Sequence, residues 1–133
     1  MRLLRLSMAI VFLWFGLLKP LGLSPAEAMA SHLVIQVTGV KALAHPLYLI
    51  LAYMELLIGV LFLFERTTTW AVYLLFCQMP LTFMPMIFMP TLTFQKLPLV
   101  PSLEGQYILK NIVLIAVGWV LLKSQRTELK QAA

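Results

Sequence analysis

Aspartate is absent, cysteine occurs once (Cys77), and only 11% of the 133 residues are charged. A lone cysteine excludes an internal disulfide, a thioredoxin-type pair, and a cysteine cluster for iron–sulfur or structural zinc. So few charges exclude a soluble domain of this size, which would carry roughly a quarter charged residues. The sequence has no glycine-rich phosphate loop, no Ser/His/Asp set and no zinc-helix motif. What fills the chain is apolar: 62% of residues are hydrophobic and the mean hydropathy is +0.94. Its solvent is mostly lipid, which predicts an integral membrane protein.

A bilayer core about 30 Å thick needs about 20 helical residues to cross it. Four such segments fit, at 5–23, 46–64, 69–89 and 106–122, and nearly exhaust the chain. The expected fold is therefore all-α: one transmembrane domain, 1–133, built as a four-helix bundle. No separate catalytic domain has room on either side. Arg2, Arg5, Arg66, Lys123, Arg126 and Lys130 fall on one side of that topology, and only Lys41 and Lys96 fall in the opposite loops. Basic residues accumulate on the cytoplasmic side, so both termini are expected inside, most simply in a bacterial cytoplasmic (inner) membrane. The net charge of +5 reads as an orientation signal and a contact with anionic lipid. It does not read as a nucleic-acid surface, because no basic groove with interleaved aromatics is present.

The amino terminus has some features of a secretory signal, with Ala26-Glu27-Ala28 in the cleavage form. A better account of that segment is a helix start. Ser24-Pro25-Ala26-Glu27 has the form of a capping box with proline at the first helical position. It predicts an amphipathic helix over 25–39, with Met29, Leu33 and Val37 on one side and His32 and Gln36 on another. This helix would lie on the outer surface or cap the bundle mouth. Pro80, Pro85 and Pro90 predict a bent outer half for the third span, packed against its neighbours. Residues 91–101 read as a loop with little regular structure, and Ser102 as the cap of the fourth helix.

Ionisable groups at membrane depth are candidate functional groups. Glu55 lies about 13 Å into the second span and Lys110 about 12 Å into the fourth, both measured from the outer side; Lys19 ends the first. Helical spacing groups Arg5, Ala9, Phe12, Gly16 and Lys19 on the first helix. It groups Tyr48, Ala52, Glu55 and Gly59 on the second, and Tyr107, Lys110, Asn111, Leu114 and Gly118 on the fourth. Small residues on a polar stripe mark a packing face. One reading is a buried Glu55–Lys110 ion pair that fixes which helices touch, with Lys19 reaching the headgroups. The other is a polar pocket in which Lys110 and Asn111 meet an anionic or carbonyl-bearing ligand while Glu55 exchanges protons.

The stretch Arg5-Leu-Ser-Met-Ala-Ile-Val-Phe-Leu-Trp-Phe-Gly16-Leu-Leu-Lys19 resembles the first helix of DoxX-like membrane proteins. Glu55-Leu-Leu-Ile-Gly59 with the turn at Glu65-Arg66 is similar to the family's second helix. Glu104-Gly-Gln-Tyr107-Ile-Leu-Lys110-Asn111-Ile-Val-Leu-Ile is similar to its fourth, which more often ends in Lys-Asp. Asn111 keeps hydrogen bonding there but removes a carboxylate, weakening a proton-relay role. The resemblance covers nearly the whole chain. It implies a compact four-helix membrane protein associated with quinone-linked or sulfur-linked redox systems.

On that basis the chain is expected to be an accessory subunit of a membrane oxidoreductase. Its small-molecule site would lie near Lys19, Glu55, Tyr107, Lys110 and Asn111. No cofactor is encoded in the sequence; a quinone suits an apolar pocket with one or two donors. Membrane lipid and a second copy of the chain are the other expected partners. An assembly factor or scaffold whose charges only lock the bundle is the alternative class, and a small-solute transporter a weaker one. Cys77 reads as packing, and His32 and His45 as interfacial residues. Met84-x-Met86-x-x-Met89 could gather thioethers for copper, but methionine also fills space beside kinked helices. Trp14, Trp70 and Trp119 read as interface or packing aromatics, with Trp14 deep enough to stack on a ligand ring.

Overall fold

The structure is a computed structural model that describes the backbone of residues 1–132 and the side chains of residues 1–127. It is mostly helical. Helix α1 spans Arg2–Leu18 and α2 spans Ala26–Thr38. A 3-10 turn at Lys41–Leu43 leads into α3, Ala44–Leu63, and a second at Glu65–Thr67 leads into α4, Thr68–Phe88. A short α5, Pro90–Thr93, then precedes two antiparallel strands, β1 at Phe94–Lys96 and β2 at Val100–Pro101. The chain closes with α6, Leu103–Leu109, and α7, Asn111–Ala132. Lys130, one of the residues that orient the chain in the sequence, has its side chain outside the described residues.

Among the described residues, three helical runs are long and apolar enough to cross a membrane: Lys41–Leu63, Glu65–Phe88 and Leu103–Thr127. The expected first span, 5–23, is only partly helical, because α1 stops at Leu18. Pro20 disfavours helix in the residue before it and supplies no amide donor. A turn follows instead, with the Gly22 amide donating to the Lys19 carbonyl at 3.1 Å and Gly22 at φ +69°. At 17 residues, α1 is about 25 Å long, somewhat less than a bilayer core.

Helix α1 packs most extensively along α3; α3 packs on α4, α4 on α7, and α7 also touches α1. The shared core comprises Met8, Ala9 and Phe12 of α1, Ile58 and Phe62 of α3, Ala71, Val72, Leu75 and Met79 of α4, and Leu121 and Leu122 of α7. Large apolar side chains also cover the outside, among them Ile10, Trp14, Ile50, Trp70 and Trp119. That distribution suits a protein bathed in hydrocarbon. Trp14 is 66% exposed, so it faces outward rather than into an interior site. Cys77, read from the sequence as packing, is exposed as well.

Helix α2 starts and stops close to where the sequence places it. The Ser24 hydroxyl accepts from the Ala26 amide at 3.3 Å, and the helix ends on Gly39 in the left-handed conformation, φ +71°. None of its residues is fully buried. It touches α3 and α4 and caps the end of α4, where Gln36 Nε2 donates to the Phe88 carbonyl at 2.7 Å. Pro80 and Pro85 lie inside α4 without ending it, and the helix stops at Phe88, before Pro90. Its last three turns bury one face, through Met79 and Pro85, while Pro80, Leu81 and Ile87 stay exposed. The segment 91–101, expected to be irregular, contains α5 and the β1–β2 ribbon. Ser102 caps α6 as expected, accepting from the Gly105 amide at 3.1 Å.

Candidate functional site

Glu55 lies near the middle of α3 and Gln78 near the middle of α4. The two helices run antiparallel through the short turn at Glu65–Thr67, which brings these midpoints to the same level. Lys19 immediately follows α1. Its ammonium forms an ion pair with one Glu55 carboxylate oxygen, Oε2. The other, Oε1, accepts from Gln78 Nε2 at 2.9 Å. Side-chain exposure is 8% for Lys19 and 13% for Glu55, and Gln78 is buried. Three segments of the chain are thereby tied at one carboxylate.

Glycine makes the approach of α1 to α3 close enough for this. A Cβ on Gly16 would lie 3.0 Å from the Leu56 amide nitrogen and 3.2 Å from Glu55 Cβ. A Cβ on Gly59 would lie 2.8 Å from the Leu13 amide nitrogen. The stripes read from the sequence on these two helices are the buried faces: Ala9, Phe12, Gly16 and Lys19 on α1, and Tyr48, Ala52 and Gly59 on α3. At the other end of the α1 stripe, Arg5 Nη1 lies 3.5 Å from Glu65 Oε2.

The fourth-helix residues do not join the cluster. Lys110 is exposed, and its ammonium sits 4.9 Å from the centroid of the Tyr107 ring, which is 55% exposed. Asn111 is half-buried. The expected Glu55–Lys110 pair is therefore replaced by Lys19–Glu55, and Lys19 does not reach out to headgroups as that reading supposed. Two features account for the change. The run 103–127 continues through Lys110, which joins α6 to α7 with helical angles, but its buried positions do not keep one phase. Gly105 and Ile108 are buried where Tyr107 and Lys110 are exposed, while Asn111 and Leu114 of the expected stripe are half-buried and Gly118 is buried. In addition, both Glu55 oxygens are already engaged, by Lys19 and by Gln78.

Gln78 was missed by reading ionisable groups alone. A neutral amide at mid-span is also a strong interhelical partner, and extending the search to amides would have found it. Its Oε1 is buried without a hydrogen-bond partner; turning the amide over would bring two oxygens together at Glu55, so the orientation is fixed by charge. Among the described residues no group of three or more His, Cys, Asp or Glu side chains could hold a metal ion. His32 and His45 are exposed.

Chemically, the cluster is a carboxylate with both oxygens engaged by donors on two other segments. That arrangement holds helices in register. No protein-family model matches the chain, and neither a curated protein nor a solved structure does.

Proposed function

We propose that the chain is a four-helix membrane protein of DoxX-like type, with both termini on the cytoplasmic side of a bacterial inner membrane. In this reading it serves as an accessory subunit of a quinone-linked redox system. Its part is to position a membrane oxidoreductase, and the quinone chemistry belongs to that partner. The observation supporting this division is the Lys19–Glu55–Gln78 contact set. The polar groups on which the resemblance rests in the first two helices are bonded to one another across helices. Such a set fixes bundle geometry. The exposed Lys110 and Tyr107 remain on the outside of the fourth helix, available to a partner or a headgroup.

The test is gentle detergent extraction of the native protein followed by native mass spectrometry and quinone extraction of the same sample. The expected result is a stoichiometric oxidoreductase partner, with quinone content following that partner. Lys110→Met should lower partner yield while the protein stays folded. A bare monomer or homo-oligomer with neither partner nor quinone would overturn the reading in favour of a self-contained structural or transport role.

A further inference from the structure

At the end of the molecule opposite α2, a cavity of about 210 Å3 opens between the start of α1, the α3–α4 turn and α7. It is lined by Arg2, Arg5, Glu65, Thr68, Ser124 and Gln125, among others. Its volume is far above the roughly 10–15 Å3 that one water requires. Arg2 and Arg5 line it with one carboxylate, Glu65, so the lining carries an excess of positive charge.

Arg5 makes this more than a basic surface. The carboxylate of Glu65 stands 3.5 Å from Arg5 Nη1, the Arg5 side chain is 13% exposed, and Arg5 Nε is buried without a hydrogen-bond acceptor. Nε is closed off from solvent, so an oxyanion in the cavity would meet the terminal nitrogens of this guanidinium group. The field points the same way. The long helix α1 begins here with no acidic residue in its first turn and no side-chain cap, whereas the turn leading into α4 starts at Glu65. The amino-terminal amides of α1 therefore add positive potential. Thr68, itself buried, also lines the cavity, its hydroxyl donating to the Phe64 carbonyl at 3.1 Å. Arg66, Lys123 and Arg126 surround this end of the molecule outside the cavity lining, and Arg126 Nη2 donates to the Tyr73 hydroxyl at 3.1 Å.

We infer that this cavity is a binding site for a phosphoryl oxyanion, with Arg5 and Arg2 as its cationic ligands. A planar guanidinium matches a tetrahedral phosphate through paired N–H donors. In a membrane protein a basic cavity at the ends of spanning helices suits the phosphodiester of an anionic phospholipid. Free phosphate presents the same chemistry, and the two sources are separated by experiment. Glu65 competes for Arg5, so the carboxylate tunes the site downward.

The test uses the full chain in detergent, titrated by native mass spectrometry with short-chain phosphatidylglycerol, phosphatidylcholine of the same chain length, and inorganic phosphate. Saturable binding of phosphatidylglycerol in preference to phosphatidylcholine is expected, weakened about tenfold by Arg5→Gln. Arg66→Gln removes the same charge outside the cavity and should leave binding unchanged. Glu65→Gln should tighten it, a gain that a damaged fold would not produce. Arg5-dependent binding of inorganic phosphate, with no preference between the two lipids, would keep the site and name soluble phosphate as its source. Equal losses in Arg5→Gln and Arg66→Gln would overturn the inference. So would a Glu65→Gln variant that binds no more tightly than the unaltered chain.

Discussion

Breaking the Lys19–Glu55 contact from one side leaves the other charge buried without its partner. Glu55→Gln strands the Lys19 ammonium, and Lys19→Met strands the Glu55 carboxylate with only Gln78 to donate to it. Each single variant should lose about 3–5 kcal/mol of stability. The double variant Lys19→Met/Glu55→Gln should recover much of that loss, because it buries no lone charge. Thermal unfolding of the four proteins in one detergent measures both effects, and additive losses in the double variant would refute a direct pair. Gln78→Leu removes one hydrogen bond to a charged acceptor, and a smaller loss of about 1.5–3 kcal/mol is expected. Glu55 and Lys19 were legible in the sequence as rare charges at depth, but their partnership was not. Matching depths along straight helices paired Glu55 with Lys110, and depth alone does not say which neighbour a carboxylate faces. Close approach decides that, and it depends on Gly16 and Gly59 meeting the backbone of the opposite helix.

Among the elements, the two helices with an unbroken period were the ones read correctly. On α1 and α3, residues spaced by three and four fall on one buried face, so the stripe and the interface coincide. On the fourth helix the same arithmetic succeeded only in part: Asn111, Leu114 and Gly118 are half-buried or buried, whereas Tyr107 and Lys110, at the join of α6 and α7, are exposed. Proline acted differently along the chain: Pro80 and Pro85 lie within a continuous α4, as a third span over 69–89 requires, whereas Pro20, inside the expected span 5–23, follows the end of α1. The glycine contacts give a test at this scale. A methyl at Gly59 would sit 2.7 Å from Leu13 Cγ and 2.8 Å from the Leu13 amide nitrogen, whereas at Gly118 it would meet the flexible Leu75 Cδ2 at 2.8 Å. Gly59→Ala must push two helix backbones apart and should cost about 1–3 kcal/mol. Gly118→Ala needs only a rotation of Leu75 and should cost clearly less. A parallel unfolding series in detergent checks the order, and equal effects would mean that α1 and α3 are free to separate.

At the scale of the whole molecule, charge asymmetry and helix packing make one joint prediction about orientation. The antiparallel packing of α3 on α4 puts Arg66 at one end of the molecule and Lys41 and Lys96 at the other, since Lys41 precedes α3 and Lys96 follows α4. Arg2 and Arg5 join the Arg66 end through the Arg5–Glu65 contact. Lys and Arg are retained on the cytoplasmic side during insertion, so that end should face inward. All three reporter positions are exposed, and replacing Cys77 with alanine removes the one native thiol. In intact cells a membrane-impermeant maleimide should then label Lys41→Cys and Lys96→Cys but label Arg66→Cys only after the membrane is opened. The reverse pattern would turn the phosphoryl cavity to the outer leaflet and place α2 at the cytoplasmic surface. Labelling of all three sites in intact cells would contradict a fixed orientation. The same experiment bears on α1, whose 17 residues fall short of a typical span. If α1 crosses, a cysteine at Leu23 is labelled from outside along with Lys41→Cys, and α1 must be accommodated by local thinning of the bilayer or by its packing along α3.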